Sequence, residues 1–272
     1  MPNYAFSIQS ALLATLIVAG CAGVQPPTSP DAVYGGRPGY VLGYLPVDEL
    51  PDMRTVLPLP PQPGSAAFAA DEEAYAATRK LRGTPRWELA ARDADLTFPN
   101  ATRVFSCVLD IPISEQATPH LNILLRRIRS DASRVNDLPK ALYKRQRPYL
   151  AHGDTSCTPD EKHKNDSYPS GHTSIGWAWA LVLAELAPER AGAILDRGYR
   201  FGESRVICGV HWKSDTDAGR LVGASTVSRL HADPVFVAQM KMARKEIEAA
   251  RLAGSRSPLD CKAEADALAT RW

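Results

Sequence analysis

The chain has 272 residues, 44% of them hydrophobic, enough to bury a full core, most simply as one domain with appended ends. Its 32 basic and 30 acidic side chains leave a formal charge of +2, too balanced for the basic stripe of a nucleic-acid-binding surface. Small molecules are the expected partners, and nucleic acid is excluded.

The first 21 residues carry no charged side chain. Ala11 to Ala19 form an apolar segment too short to span a bilayer, which reads as an export signal. Val18-Ala19-Gly20-Cys21 resembles the bacterial lipobox, so residues 1–21 are expected to be a signal segment and Cys21 the lipid-bearing first residue of the mature chain. A plainly cleaved signal is the alternative, because the amino terminus is the only positive charge ahead of the apolar segment. The expected location is the periplasm, with membrane contact only through a lipid anchor in the outer membrane.

Residues 22–66 read as an extended tether or strap. Ten prolines lie between Pro26 and Pro63, together with Gly35, Gly36, Gly39 and Gly43, which excludes a continuous helix or a central strand. Tyr34, Tyr40, Tyr44 and Leu45 are its apolar handles for docking. Residues 67–272 read as the folded domain. Helices are expected over 71–81, 86–93, 120–130, 138–145, 173–186, 188–203, 215–230 and 235–252, several opened by Thr-Pro or Asp-Pro start signals. No alternating apolar run with hairpin turns is present, so the fold class is all-α. Four cysteines, Cys107, Cys157, Cys208 and Cys261, suggest two disulfides in an exported protein, with three connectivities open. None has the close pairing of a zinc site.

Three segments carry chemistry. Lys140 and Arg147 are seven residues apart, on one face if the helix continues, although Pro148 biases Arg147 away from helical geometry. Lys144 and Arg145 are their expected solvent-facing neighbours. In Tyr168-Pro169-Ser170-Gly171-His172-Thr173, Ser170 is a potential N-cap and Gly171 permits close backbone approach. The unpaired amides of such a helix start suit an anion, with His172 beside it. In Ser204-Arg205-x5-His211-x3-Asp215, the i,i+4 spacing would let Asp215 accept from one nitrogen of His211, leaving the other as a nucleophile.

Together these segments resemble the signature of the type 2 phosphatidic acid phosphatase superfamily, with every motif position filled. Gly83-Thr84-Pro85-Arg86-Trp87, Phe105-Ser106-Cys107, Thr118-Pro119-His120-Leu121 and Gly176-Trp177-Ala178-Trp179-Ala180 extend the resemblance to the bacterial class A nonspecific acid phosphatases, over about residues 67–235. The resemblance implies a compact all-α bundle with a motif core at 140–215 and phosphomonoester hydrolysis. It implies Lys140, Arg147, Ser170, Gly171 and Arg205 as phosphate ligands, His211 as nucleophile oriented by Asp215, and His172 as general acid and base. Cations and N–H donors would neutralise the phosphate without a metal, so no cofactor is expected. Substrates would be small monoesters such as nucleotides, sugar phosphates and glycerophosphates, and homo-oligomers occur among such relatives. The competing readings are a vanadium haloperoxidase, which uses the same cradle for vanadate, and a noncatalytic phosphate-binding lipoprotein.

Overall fold

The computed structural model describes residue 1, residues 24–161 and residues 166–272. The signal segment and Cys21 lie outside the described residues. Those residues form helices joined by turns, with a single isolated bridge between Tyr34 and Val41 and no strand among them.

Local chemistry accounts for where the helices start. Ser65 caps α1 (Ala66–Arg79) by accepting from the Phe68 amide, and Thr84 caps α2 (Pro85–Arg92) through the Trp87 amide. Proline occupies the first turn of α2, where its missing N–H costs nothing. The chain continues through α3 (Arg103–Leu109), α4 (Pro119–Arg134), α5 (Asp137–Tyr143) and the single turn α6 (Pro148–Ala151). Next come α7 (Gly171–Leu186), α8 (Ala191–Ile207), α9 (Lys213–Leu230), α10 (Pro234–Leu252) and α11 (Cys261–Ala269). The expected 138–145 helix stops two residues early, at Tyr143, because Lys144 turns left-handed with φ 44° and its amide closes onto the Lys140 carbonyl. Helices α3, α6 and α11 lie outside the helices expected from the sequence.

Helix α7 is the axis of the bundle. It packs chiefly against α8 and α9, with α4 on a further side, and α10 covers α4. Contact between α7 and α9 is close enough to require glycine. A Cβ on Gly219 would stand 2.6 Å from the Ser170 carbonyl oxygen, and one on Gly223 would stand 2.5 Å from that of Ser174. The core around α7 gathers Trp179, Leu183, Phe201, Leu124, Ile128 and Phe236, and Trp179 Nε1 donates to the Leu125 carbonyl at 2.9 Å. Burying that indole therefore leaves no donor unpaired.

The Pro-rich segment is a docked strap. Tyr44 and Leu45 are buried, and their amides donate to the buried Asp131 carboxylate of α4 at 2.7 and 3.4 Å. Tyr34 and Tyr40 are exposed and contribute no core contact. Further along, Met53 and Leu57 enter a small cluster with Tyr168, Ala218 and Val222, and Tyr168 Oη donates to the Pro58 carbonyl at 2.6 Å. The strap thus packs directly under the segment that opens α7. Of the three open connectivities, the fold selects Cys107–Cys261, which ties α11 to α3, and Cys157–Cys208.

Candidate active site

The site is built where three chain turns meet the start of α7. Ser170 caps this helix, its Oγ accepting from the Thr173 amide and, at 2.9 Å, from the Thr173 hydroxyl. Its backbone amide donates to the Asp215 carbonyl at 2.9 Å, so the α7 start is tied to the α9 start. The next amides, of Gly171 and His172, open the helix and have no intrahelical acceptor. Ser170 is fully buried, whereas Gly171 and His172 are partly exposed and mark the mouth.

The five-residue interval between Arg205 and His211 has a physical cause. Helix α8 ends at Ile207, and Gly209, with φ +82°, turns the chain so that the Val210 and His211 amides both reach back to the Arg205 carbonyl at 3.3 Å. The Cys157–Cys208 bridge, the Cys157 amide on the Cys208 carbonyl at 3.0 Å and the Tyr149 amide on the Gly209 carbonyl at 3.1 Å pin this turn.

His211 and Asp215 do not share a helix, contrary to the spacing argument. His211 precedes α9, and Asp215 sits in its first turn, where its Oδ2 accepts the Trp212 amide at 2.8 Å. His211 Nδ1 lies 2.8 Å from the Ser167 carbonyl and 3.5 Å from Asp215 Oδ2, so the backbone carbonyl is the nearer acceptor. On the other side of the ring, Nε2 lies 3.2 Å from Arg147 Nη1. A guanidinium only donates, so Nε2 presents a lone pair and Nδ1 carries the hydrogen. Asp215 does contribute to this arrangement, since Ser167 Oγ donates to its Oδ2.

Lys140 and Arg147 converge by tertiary folding, not along one helix face. Arg147 is extended, with φ −75° and ψ 145°, just ahead of Pro148. Its Nη1 also donates to the Val210 carbonyl at 2.9 Å, and its Nη2 to Asp166 Oδ1 at 2.7 Å. Lys140 Nζ donates to the Asp166 carbonyl. Burial, assisted by the nearby charge of Arg147, pushes the Lys140 ammonium down to about 8.

Arg205 is wholly buried, and among the described residues its Nε and Nη1 have no hydrogen-bond partner. A buried guanidinium with two unpaired nitrogens is costly unless a ligand supplies the acceptors. Burial pushes it down to about 10, with Arg147 adding to the effect and Glu161 opposing it. His172 Nε2 meets the Ala94 carbonyl at 2.9 Å. Its imidazolium is disfavoured well below the usual histidine range, first by burial and then by Arg205, with His211 and Arg147 adding; the Ala94 hydrogen bond opposes them.

Arg145 is the clear departure from expectation. Its side chain is buried, not solvent-facing, and its guanidinium lies between two buried carboxylates, 2.8 Å from Asp71 and 2.6 Å from Asp215. Asp71, Asp166, Ser167, Ala94 and Arg145 were all missed as partners of the site. Ser167 stands next to a recognised motif, but Asp71 and Ala94 come from distant stretches with no local signal. Among the described residues no group of three or more His, Cys, Asp or Glu side chains is arranged to hold a metal ion, and the donors around the mouth are cations and amides.

Buried cations, an open helix start and two histidines around one point, on an all-α scaffold, define a protein that handles a tetrahedral oxyanion. The PAP2 superfamily matches residues 123–236 of the chain. The chain is 44% identical over 209 residues to the non-specific acid phosphatase of Providencia stuartii, covering 75% of this chain and 84% of that protein. It is 40% identical over 215 residues to the acid phosphatase of Zymomonas mobilis, covering 76% and 80%. To the non-specific acid phosphatase of Salmonella typhimurium it is 42% identical over 195 residues, covering 70% and 78%. The chain belongs to the PAP2 superfamily, in its class A nonspecific acid phosphatase branch.

Proposed function

We propose that this acid phosphatase is an exported phosphomonoesterase of broad specificity that works through a phosphohistidine, without a metal ion. The observation that carries the reading is Arg205: two buried guanidinium nitrogens, unpartnered among the described residues, are explained by a phosphate whose equatorial oxygens accept from them. Lys140, Arg147, the Ser170 hydroxyl and the Gly171 amide complete the cradle, and enough positive charge gathers there to neutralise a dianion.

His211 Nε2 donates its lone pair to phosphorus in line with the ester oxygen. The P–O bond breaks, and the leaving alkoxide takes a proton from His172. Water then attacks phosphorus, His172 accepts its proton, the P–N bond breaks and inorganic phosphate departs. Before attack the His211 proton lies on Nδ1, facing the Ser167 carbonyl and the Asp215 carboxylate, which stabilise the ring once phosphorylation makes it cationic.

Among the described residues the groups assigned to the cradle are cations and hydrogen-bond donors suited to phosphate oxygens, which supports small monoesters in general as substrates. The apolar leader and lipobox-like Val18 to Cys21 support export to the periplasm and a lipid anchor at Cys21. No described helix is long and apolar enough to cross a membrane.

The test is turnover of nitrophenyl phosphate by the purified mature chain with and without chelator, followed by quenching and detection of an acid-labile, base-stable phosphohistidine on His211. Activity retained in chelator with phosphate on His211 is expected. Loss of activity in chelator, or phosphate on another residue, would overturn the mechanism. Intact-mass measurement of the chain made in a bacterial host tests the anchor: a diacylglycerol adduct at Cys21 is expected, and an unmodified processed terminus would contradict it.

A further inference from the structure

The proposal rests on the phosphohistidine reading and concerns what holds its nucleophile in place. We propose that Arg145 is a positioning residue for His211: clamped between the buried carboxylates Asp71 and Asp215, it holds Asp215 aimed at Ser167, which fixes the histidine.

The network can be followed atom by atom. Arg145 Nη2 donates to Asp71 Oδ2 at 2.8 Å, and Nη1 donates to Asp215 Oδ1 at 2.6 Å and to Ser214 Oγ at 2.7 Å. Ser214 donates its amide to Asp71 Oδ1 at 2.8 Å and its hydroxyl to Asp71 Oδ2 at 2.6 Å. Asp215 Oδ2 takes the Trp212 amide and the Ser167 hydroxyl. The Ser167 carbonyl in turn accepts from His211 Nδ1.

Both carboxylates are almost wholly inaccessible, at 2% and 0% exposure, so neither can be neutralised by solvent. Among the described residues Arg145 bridges them through its guanidinium, and its own carbonyl accepts the Ser167 amide at 3.0 Å. The other charged or titratable groups that face Asp215 are Lys140 of α5, Tyr168 and His211. Lys140 lies on the phosphate side, bound to the Asp166 carbonyl. Without Arg145 the two buried carboxylates lose the guanidinium they share, each left with its own serine, Ser214 on Asp71 and Ser167 on Asp215, and like-charge repulsion in the variant favours a proton on one of them. A proton on Asp215 weakens its hold on Ser167 and removes the charge that stabilises a cationic, phosphorylated His211. The cation therefore affects the chemical step more than substrate binding.

The experiment compares wild type, Arg145→Gln, Arg145→Lys and the double variant Asp71→Asn/Arg145→Gln in nitrophenyl phosphate turnover from pH 4.5 to 8, with melting temperature recorded for each. Wild-type turnover must be present for the comparison, and its absence would defeat the functional reading and not this one. For Arg145→Gln the expected result is at least a tenfold loss of kcat at the acid end, shrinking as pH rises, with KM within about twofold of wild type. Arg145→Lys should fall between the two, and the double variant, left with one carboxylate, should recover most of kcat at low pH. Should Arg145→Gln fail to fold, Arg145→Lys and the double variant carry the same comparison. A loss equal at every pH and not relieved by Asp71→Asn would reduce Arg145 to a structural tie, and a rise in KM alone would make it a phosphate ligand; either overturns the proposal.

Discussion

Asp166 gives Arg147 Nη2 a carboxylate oxygen at 2.7 Å, and its own carbonyl accepts from Lys140 Nζ. One residue thus engages two of the cations proposed to hold phosphate, and its partly exposed side chain competes with the incoming oxyanion for Arg147. Asp166→Asn removes the competing charge but keeps the shape. Phosphate should then bind about fivefold tighter, the equivalent of about 1 kcal/mol, with kcat nearly unchanged. Product inhibition constants measure this, and weaker phosphate binding in the variant would show that the carboxylate supports the cradle instead of competing with it.

The pH behaviour of His172 follows from its surroundings. Burial and the charge of Arg205 hold its imidazolium well below 6.5 before substrate binds. A dianion beside it reverses the charge contribution. The basic limb of kcat/KM, which reports the enzyme before substrate binds, should therefore lie below pH 6.5, and that of kcat should lie higher. His172→Ala should slow esters of poor leaving groups far more than nitrophenyl phosphate, and equal losses would contradict its acid role. His211→Ala should abolish both turnover and phosphoenzyme.

Lys140 titrates on the alkaline side. With its ammonium pushed down to about 8, the cradle loses one positive charge as pH rises through that value, while phosphate remains a dianion. The inhibition constant for phosphate should rise above pH 8 by up to about tenfold per unit, the limit for loss of one required proton. Lys140→Met should bind phosphate weakly throughout and show no such rise. A wild-type constant that is flat to pH 9.5 would contradict the assignment.

Gly219 makes the seat depend on helix packing. A Cβ there would stand 2.6 Å from the Ser170 carbonyl oxygen and 2.9 Å from Thr173 Cβ. Gly219→Ala should cost about 1–3 kcal/mol of stability, because backbone must shift. It should also raise KM, since Ser170 and the first amides of α7 move together. Chemical denaturation and steady-state kinetics on the same sample check both; unchanged stability would mean that the two helices separate without penalty.

Much of this protein was legible along the chain because the relevant physics is local. Capping side chains and first-turn prolines placed the starts of α2, α7 and α10 within a residue or two, and Gly209 explains an interval that sequence shows only as five unspecified residues. Lys140, Arg147, Ser170, Gly171, His172, Arg205, His211 and Asp215 were recognisable as three ordered segments, each carrying groups that suit an oxyanion.

Partnership was not legible, because burial and charge pairing join residues far apart in the chain. Arg145 looks like one more cation beside a proline, yet Asp71, 74 residues away, buries it. The i,i+4 interval suggested a direct bond from Asp215 to His211, but the break before α9 turns the imidazole toward the Ser167 carbonyl. Sequence alone determined the helical class and the inventory of reactive groups, since capping, periodicity and residue chemistry act over a few neighbours. Only the tertiary structure decided which cation meets which anion, which histidine nitrogen carries the proton and which cysteines pair, because those choices depend on who shares a buried, water-poor space.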